Sequence, residues 1–306
     1  MNQQHIGALQ VAASAAGFAT LAIFIKFAYE AGANTITILT GRFTLAALCL
    51  ILLLKLRGIS LALDKRLIIK LALLGGLGYG SMSTLFALSV KSVPASLAAM
   101  LLYTYPALVS ILSFIIGDER YTWQKGLALA VCFSGLFLVL GVSFEHVGIL
   151  GFAYGLCGAL VYSIYIVIGN RLLQGINPLV TTTYVCASAA VIFLVSGLAS
   201  SSLNWTLPLV GWLSIIGIAL LATIVGIVGF FAGMSRIGAI NASIISTLEP
   251  VITVLLSVAL LHENITPLQI GGGVLILGSI LFLQLWAGKS ESTERDLSLA
   301  VEEQRS

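Results

Sequence analysis

LLYTYPALVSILSFIIGDERYT, residues 101–122, and STLEPVITVLLSVALLHENIT, residues 246–266, are two versions of one pattern. At a constant offset of 144 residues, Pro106 meets Pro250, Ser113 meets Ser257, Glu119 meets Glu263 and Thr122 meets Thr266. Upstream, Ala95 and Ala98 meet Ala239 and Ala242 at the same offset. The openings of the two halves match more weakly, Gly7 with Gly148 and Gly17 with Gly158. Several polar or special residues at one spacing are not expected by chance, so the chain reads as an internal repeat.

Both stretches are apolar runs closed by an acidic residue, and the rest of the chain is built alike. Hydrophobic residues make up 59% and charged residues 9%, against about 25% charged in a soluble domain. Too little polar surface remains to cover the apolar bulk, so the solvent is lipid. A spanning helix needs roughly 20 apolar residues. Such runs fall at about 7–30, 34–56, 67–90, 95–116, 123–141, 147–171, 178–199, 209–235, 240–261 and 267–287. Alternating strand patterns are absent, so helices must satisfy the backbone in lipid. Five spans per half is an odd number, which turns the second half over in the membrane. The expectation is an all-α integral membrane protein: ten transmembrane helices as two inverted five-helix repeats around a central cavity. The repeats cover residues 1–141 and 147–287, and the polar segment 288–306 reads as a disordered tail.

Charge sets the expected orientation. Lys55, Arg57, Lys65, Arg66 and Lys70 crowd the gap between the second and third spans. No folded soluble module or aromatic interleaving accompanies them, so nucleic acid is not an expected partner. With the N-terminus inside, twelve of the fifteen Lys and Arg face the cytoplasm and only Lys26 and Lys91 face out, Arg42 lying within a span. Both termini are therefore expected on the cytoplasmic side of the cell (inner or plasma) membrane. The first apolar run is too long for a signal peptide and reads as a retained helix. Cys49, Cys132, Cys157 and Cys186 all lie in apolar runs and read as packing residues.

Function then rests on the polar groups kept inside the spans. Glu249 is the acidic residue deepest in a span, on a small, polar face with Ala242, Ser246, Thr253 and Ser257. A carboxylate there must face a cavity, pair with a cation or be protonated. It is a candidate contact for a substrate amine or a coupling proton, or a neutral structural hydrogen-bonding group. Pro106 and Pro250 are expected as mid-helix kinks that could hinge a gate. Arg42 lies about 12 Å from the outer end of its helix; it either snorkels outward or contacts an anion at an outer gate. Lys26 is expected to snorkel, with Glu30 as an i, i+4 neighbour. Tyr79, Tyr103, Tyr105, Tyr162 and Tyr165 lie too deep for an interfacial belt and are candidate cavity residues. Tyr154 shares a helix face with Tyr162 and Tyr165. Trp123 and Trp286 read as interface anchors. Glu119 and Glu263 are expected to cap the following helix or to serve a gate.

Catalysis finds no constellation. His5, His146 and His262 lie at ends or in loops, as do Asp64, Asp118 and Asp296, and His262-Glu263 has no second His at zinc spacing. No metal, cofactor or enzymatic activity is expected. A channel would more often show a ring of charges, and a sensor would need an output domain.

FIKFAYEAGANTITILTGRF, residues 24–43, resembles the opening of the EamA family in the drug/metabolite transporter superfamily, and the two quoted stretches resemble its paired motifs. The resemblance implies a ten-helix carrier of small metabolites, often an exporter, with a central cavity lined from both halves. Two positions depart from the pattern. Tyr105 stands where the second half has Glu249, and His262-Glu263-Asn264 lacks the usual Gly before its Glu. The expected function is a secondary transporter of small organic metabolites, amino-acid-like solutes favoured, exporting by alternating access. A phosphorylated solute is disfavoured, since Arg42 is the one deep cation. A small multidrug or sugar-type carrier is the alternative, and a non-transporting sensor or scaffold the more distant one. Proton coupling and oligomeric state stay open.

Overall fold

The computed structural model describes residues 3–116, 123–141, 148–172, 176–237, 245–246, 248–279 and 281–282. Among these there is no strand. Glu119, Ala239, Ala242, Trp286 and the tail lie outside the described residues.

The helices are α1 (Gln3–Glu30), α2 (Thr35–Leu56), α3 (Lys65–Ser92), α4 (Ala95–Leu102), α5 (Tyr105–Ile115), α6 (Trp123–Gly141), α7 (Ile149–Leu172) and α8 (Pro178–Ala199). A continuous run, α9, comprises Leu209–Gly217, Ile218–Val225 and Gly226–Ile237, and α10 (Leu248–Leu261) and α11 (Pro267–Ser279) follow. Six of these, α1, α2, α3, α7, α8 and α9, are long and apolar enough to cross a bilayer, and the shorter apolar helices add to them. Their starts follow local chemistry. The side chains of Asn34, Asp64 and Asn177 accept from the N–H groups of Thr37, Arg66 and Leu179, satisfying first-turn donors. Gly32 and Gly58, with φ of 85° and 64°, make the turns after α1 and α2.

Two helices carry an internal π-helical segment, Leu74–Tyr79 in α3 and Ile218–Val225 in α9. They begin 144 residues apart, the offset of the sequence repeat. Wider turns of this kind break the i→i+4 ladder and frequently mark functional sites. In α9 the hydroxyl of Thr223 donates to the carbonyl of Ile218 at 3.0 Å.

The fourth span is interrupted near its middle. Tyr103 and Thr104 form a turn between α4 and α5, and the Thr104 hydroxyl donates to the carbonyl of Leu101 at 2.7 Å. Pro106 therefore lies in the first turn of α5, where no partner is required of its missing N–H. The interruption at Tyr103 and Thr104 lies within the turn before the proline, where a mid-span proline disrupts a helix. Pro250 is buried near the described start of α10, next to Glu249, and residues 245–246 before it are also helical.

Packing follows the repeat. α1 lies along Gly226–Ile237 of α9, and α7 lies along the last part of α3. The matched glycines make both approaches. A Cβ on Gly17 would come within 2.6 Å of the carbonyl oxygen of Leu221, and one on Gly158 within 3.5 Å of the Leu85 Cβ. The Ser14 hydroxyl donates to the Gly226 carbonyl in the first of these interfaces. α2 packs on α8 through Leu39, Phe43, Ala46 and Leu50 against Cys186, Ala189 and Phe193. Lipid offers apolar groups as good an environment as protein does, so close small-residue packing replaces hydrophobic exclusion as the force holding helices together. Accordingly, Leu48, Leu52, Val195 and Leu198 face outward, Leu198 61% exposed, without penalty.

Two contacts differ from expectation. The Lys26 ammonium donates to the carbonyls of Val90 (3.0 Å) and Val93 (3.3 Å), stopping α3 with a cation at its C-terminus and leaving Glu30 aside. Glu263 caps not the helix that follows it but α4, 168 residues away in the other repeat. Its carboxylate accepts from the N–H of Ala95 and from the N–H (3.2 Å) and hydroxyl (2.7 Å) of Ser96.

Candidate functional site

The five singled-out tyrosines come together. Tyr79 projects from the end of the π segment of α3, Tyr103 from the break between α4 and α5, Tyr105 from the start of α5, and Tyr162 and Tyr165 from α7. Ring centroids lie 5.9 Å apart for Tyr103 and Tyr105, 4.8 Å for Tyr105 and Tyr162, and 6.4 Å for Tyr162 and Tyr79. Tyr165 stacks on Tyr162 at 6.0 Å and meets Tyr79 at 5.4 Å. Edge-to-face and offset geometry dominates, as ring quadrupoles prefer. Tyr154, on the same helix face, stays outside this cluster.

A carboxylate closes one end. Tyr103 donates its hydroxyl to Glu249 Oε2 at 2.7 Å and reaches the backbone carbonyl of Ser246 at 3.2 Å. Tyr103 is the last residue of the α4 ladder, its N–H still donating to the Ala99 carbonyl at 2.9 Å, so its ring leaves from the end of that helix toward α10. Thr253, one turn along, donates to the carbonyls of Glu249 (3.0 Å) and Ala19 (3.3 Å), which ties α10 to α1. Ser163 of α7 donates to the carbonyl of Tyr105 at 3.1 Å, fixing the start of α5 against α7.

A guanidinium closes the other end. Arg42 does not snorkel; it is 2% exposed. Its Nε donates to the Thr223 hydroxyl at 3.2 Å and an NH2 group to the Tyr79 hydroxyl at 3.3 Å. The guanidinium carbon also sits 4.9 Å from the centre of the Phe43 ring and 5.9 Å from that of Tyr79. Phe43 in turn meets Tyr79 edge-on at 5.8 Å and stacks on Phe193 at 5.7 Å. Arg42 thus joins the two π segments, one through Tyr79 and one through Thr223.

Sequence reading passed over Thr223, Phe43 and Phe193. Thr223 carried a usable signal, since it stands 144 residues after Tyr79. The two phenylalanines carried none, being apolar residues in apolar helices. Tyr79, Tyr105, Tyr162, Tyr165 and Glu249 are only half-buried, although they are wrapped by one another and by neighbouring helices. On the other side of Tyr103, an apolar crevice of about 170 Å³ runs between α10 and α11, lined by Met100, Pro250, Val254, Gly273 and Leu277. The described residues hold no group of three or more His, Cys, Asp or Glu that could bind a metal ion.

Comparison with known proteins fits this arrangement. The sequence pattern of the EamA-like transporter family matches residues 5–141 and again residues 149–285. The uncharacterized transporter YyaM of Bacillus subtilis is 29% identical over 249 residues, covering 78% of this chain and 81% of its own. The threonine/homoserine exporter RhtA of Escherichia coli K12 is 29% identical over 253 residues, covering 82% and 80%. The uncharacterized transporter YcbK of Bacillus subtilis is 26% identical over 288 residues, covering 90% and 92%. A solved crystal structure superposes with a TM-score of 0.67 at 19% identity, covering 93% of this chain and 98% of that one, which shows a shared fold.

Proposed function

The chain belongs to the EamA-like transporter family, a multi-pass membrane transporter family, and on that premise we propose that it is a secondary carrier exporting small amino-acid-like metabolites by alternating access. One observation carries the reading. A cluster of half-buried tyrosines between α3, α5 and α7 is bounded by a carboxylate on α10 and a guanidinium on α2, and these groups come from both repeats. A soluble solute crossing lipid needs such polar partners near the middle of the bundle, where repeats of opposed orientation can open to either side in turn. The half-buried surfaces of Tyr79, Tyr105, Tyr162, Tyr165 and Glu249 would line the chamber, and Ser246 offers its carbonyl beside them. Likeness to RhtA supports the amino-acid class and the outward direction.

Arg42 joins Tyr79 to Thr223, and so serves as a gate contact in this reading. The α4–α5 break at Pro106 and the neighbourhood of Pro250 supply discontinuities about which the halves can move. Glu249 is the candidate proton carrier if export is coupled; one charge moved through 100 mV is worth about 2.3 kcal/mol. Both termini are cytoplasmic by the distribution of Lys and Arg, and a protease- or label-accessibility assay at each end checks that.

A second reading has its own support. Aromatic rings beside a carboxylate also suit an organic cation, as in a small multidrug carrier. The buried Arg42 argues against it by repelling a cation from the same cluster. Counterflow in proteoliposomes tests both: exchange of labelled amino acids supports the first, and exchange of cationic drugs alone replaces it with the second. Absence of saturable exchange for every solute class removes the carrier reading altogether.

A further inference from the structure

Gly272 and Gly273 follow one another on α11 and meet different surroundings. The Gly272 carbonyl packs against α6, where a Cβ on Gly135 would come within 2.6 Å of its oxygen. A Cβ on Gly273 would meet only the flexible end of Met100, its Cε at 3.1 Å. Gly273 faces the crevice of about 170 Å³ between α10 and α11, and with Met100, Val254 and Leu277 it forms the wall. The mouth is edged by Leu255 and Val274, each 63% exposed on an apolar helix of the bundle. Tyr103 presents its ring to this crevice and its hydroxyl to Glu249. The crevice and the tyrosine cluster therefore share one side chain as a partition.

We infer that the crevice binds one acyl chain of a bilayer phospholipid, which packs on the Tyr103 ring from the side away from Glu249. The walls offer water no hydrogen-bonding partners, and a buried water needs about two to four. A gap left unfilled forfeits dispersion contacts along its whole lining. The mouth opens on a face that meets lipid, so hydrocarbon chains are the molecules that reach it. A helix of a second copy, about 10–12 Å across with its side chains, is too wide for a slot of this volume. A single unbranched chain is not, and Met100, itself unbranched and adaptable, can fit its shape to one. The bound chain restricts the Tyr103 ring, and Pro250 beside Glu249 lies on the same wall. The lipid thus steadies the Tyr103–Glu249 hydrogen bond from outside the cluster. This site stands whichever solute the protein carries.

The protein is placed in vesicles containing a phospholipid with a diazirine midway along one acyl chain, irradiated, and its adducts mapped by mass spectrometry. In the wild type, Val254 and Leu277 are expected to be labelled at least as strongly as the outward Val195 and Leu198, and several-fold above the buried Val11 and Leu39. Gly273→Leu fills the slot and should lower adducts at Met100, Val254 and Leu277 several-fold, leaving Val195 and Leu198 unchanged. Each residue is compared with itself in the two proteins, so its own reactivity cancels. Gly273→Ala should keep the wild-type pattern, because its methyl group meets only the mobile end of Met100. The wild-type pattern alone decides the matter if Gly273→Leu fails to fold. Adducts at Val254 and Leu277 no higher than at Val11 and Leu39, or unaffected by Gly273→Leu, overturn the inference. Labelling of the crevice by a free diazirine-bearing hydrocarbon but not by the phospholipid overturns it in favour of a small apolar solute. Cross-linking of two copies through α10 and α11 that shuts the phospholipid out overturns it in favour of a dimer.

Discussion

Tyr79 and Thr223 stand 144 residues apart and hold the same guanidinium, that of Arg42. They are counterparts in the two repeats, and each lies in the π segment of its helix. A π turn rotates the residues after it relative to those before it, and both hydroxyls reach the one guanidinium. Arg42 comes from α2 in the first repeat. The cluster is therefore symmetric in its frame and asymmetric in its charged groups.

Removal of the buried charge should spare the fold. Arg42 has neutral partners, so replacing it with a flexible apolar chain of similar length deletes a desolvated ion and two long hydrogen bonds. An ion buried without a counter-ion carries a desolvation cost that its neutral partners offset only in part, and its removal relieves that cost. Arg42→Met is expected to hold or raise the thermal midpoint in detergent while abolishing exchange. A fall of several degrees would show that the charge is structural.

Tyr103 and Glu249 should behave as one unit. Tyr103→Phe removes a hydrogen bond to a charged or chargeable group, at a cost of about 1–3 kcal/mol. Once Glu249→Gln is in place the same change should cost clearly less, with a coupling of about 0.5–3 kcal/mol. Strict additivity in chemical-denaturation midpoints of the four proteins would separate them.

The matched glycines are not equivalent in tolerance. A methyl group on Gly17 meets the Leu221 carbonyl oxygen at 2.6 Å, a backbone atom that cannot swing away, whereas one on Gly158 meets the Leu85 Cβ at an ordinary 3.5 Å. Gly17→Ala is expected to destabilise by about 2 kcal/mol or more, in the range of overpacked interfaces, and Gly158→Ala by less than about 1 kcal/mol. Detergent half-lives of the two variants, measured side by side, should differ in that order; the reverse order would refute the packing account.

Glu263 stitches the end of α10 to the start of α4. Glu263→Ala leaves two first-turn N–H groups and a hydroxyl without their acceptor, and loss of a cap costs about 0.5–2 kcal/mol. Glu263→Gln keeps one acceptor and should recover about half. Glu119→Ala, at the counterpart position in sequence, is expected to lower the midpoint by a similar amount. A midpoint unchanged in Glu263→Ala would argue that water replaces the carboxylate.

Much of this architecture could be read from the chain. Apolar run length and the near absence of charge decided that the helices lie in lipid, because a backbone in hydrocarbon has few alternatives. The repeat was visible as a spacing, and the five tyrosines, Glu249 and Arg42 stood out as polar groups in spans where polarity is costly. Their placement was less legible. Arg42 and Lys26 read as chains reaching for the surface, since a long basic side chain near a helix end has that option. The structure gives both of them partners on other helices, and no property of residues 26 or 42 alone names those partners. Pro106 marked an interruption of its span, but the position of the break, at Tyr103 and Thr104, leaves no mark in hydropathy.

Class, repeat and the identity of the costly groups thus followed from local composition and periodicity, which act within a turn or two of helix. The meeting of Tyr79 with Thr223 at one arginine, the capping of α4 by Glu263 and the separation of Arg42 from Glu249 by rings arose from packing between helices far apart in the chain. Such contacts depend on helix rotation and on π turns. These are set by small differences in side-chain fit summed over whole interfaces, which a one-dimensional pattern does not carry.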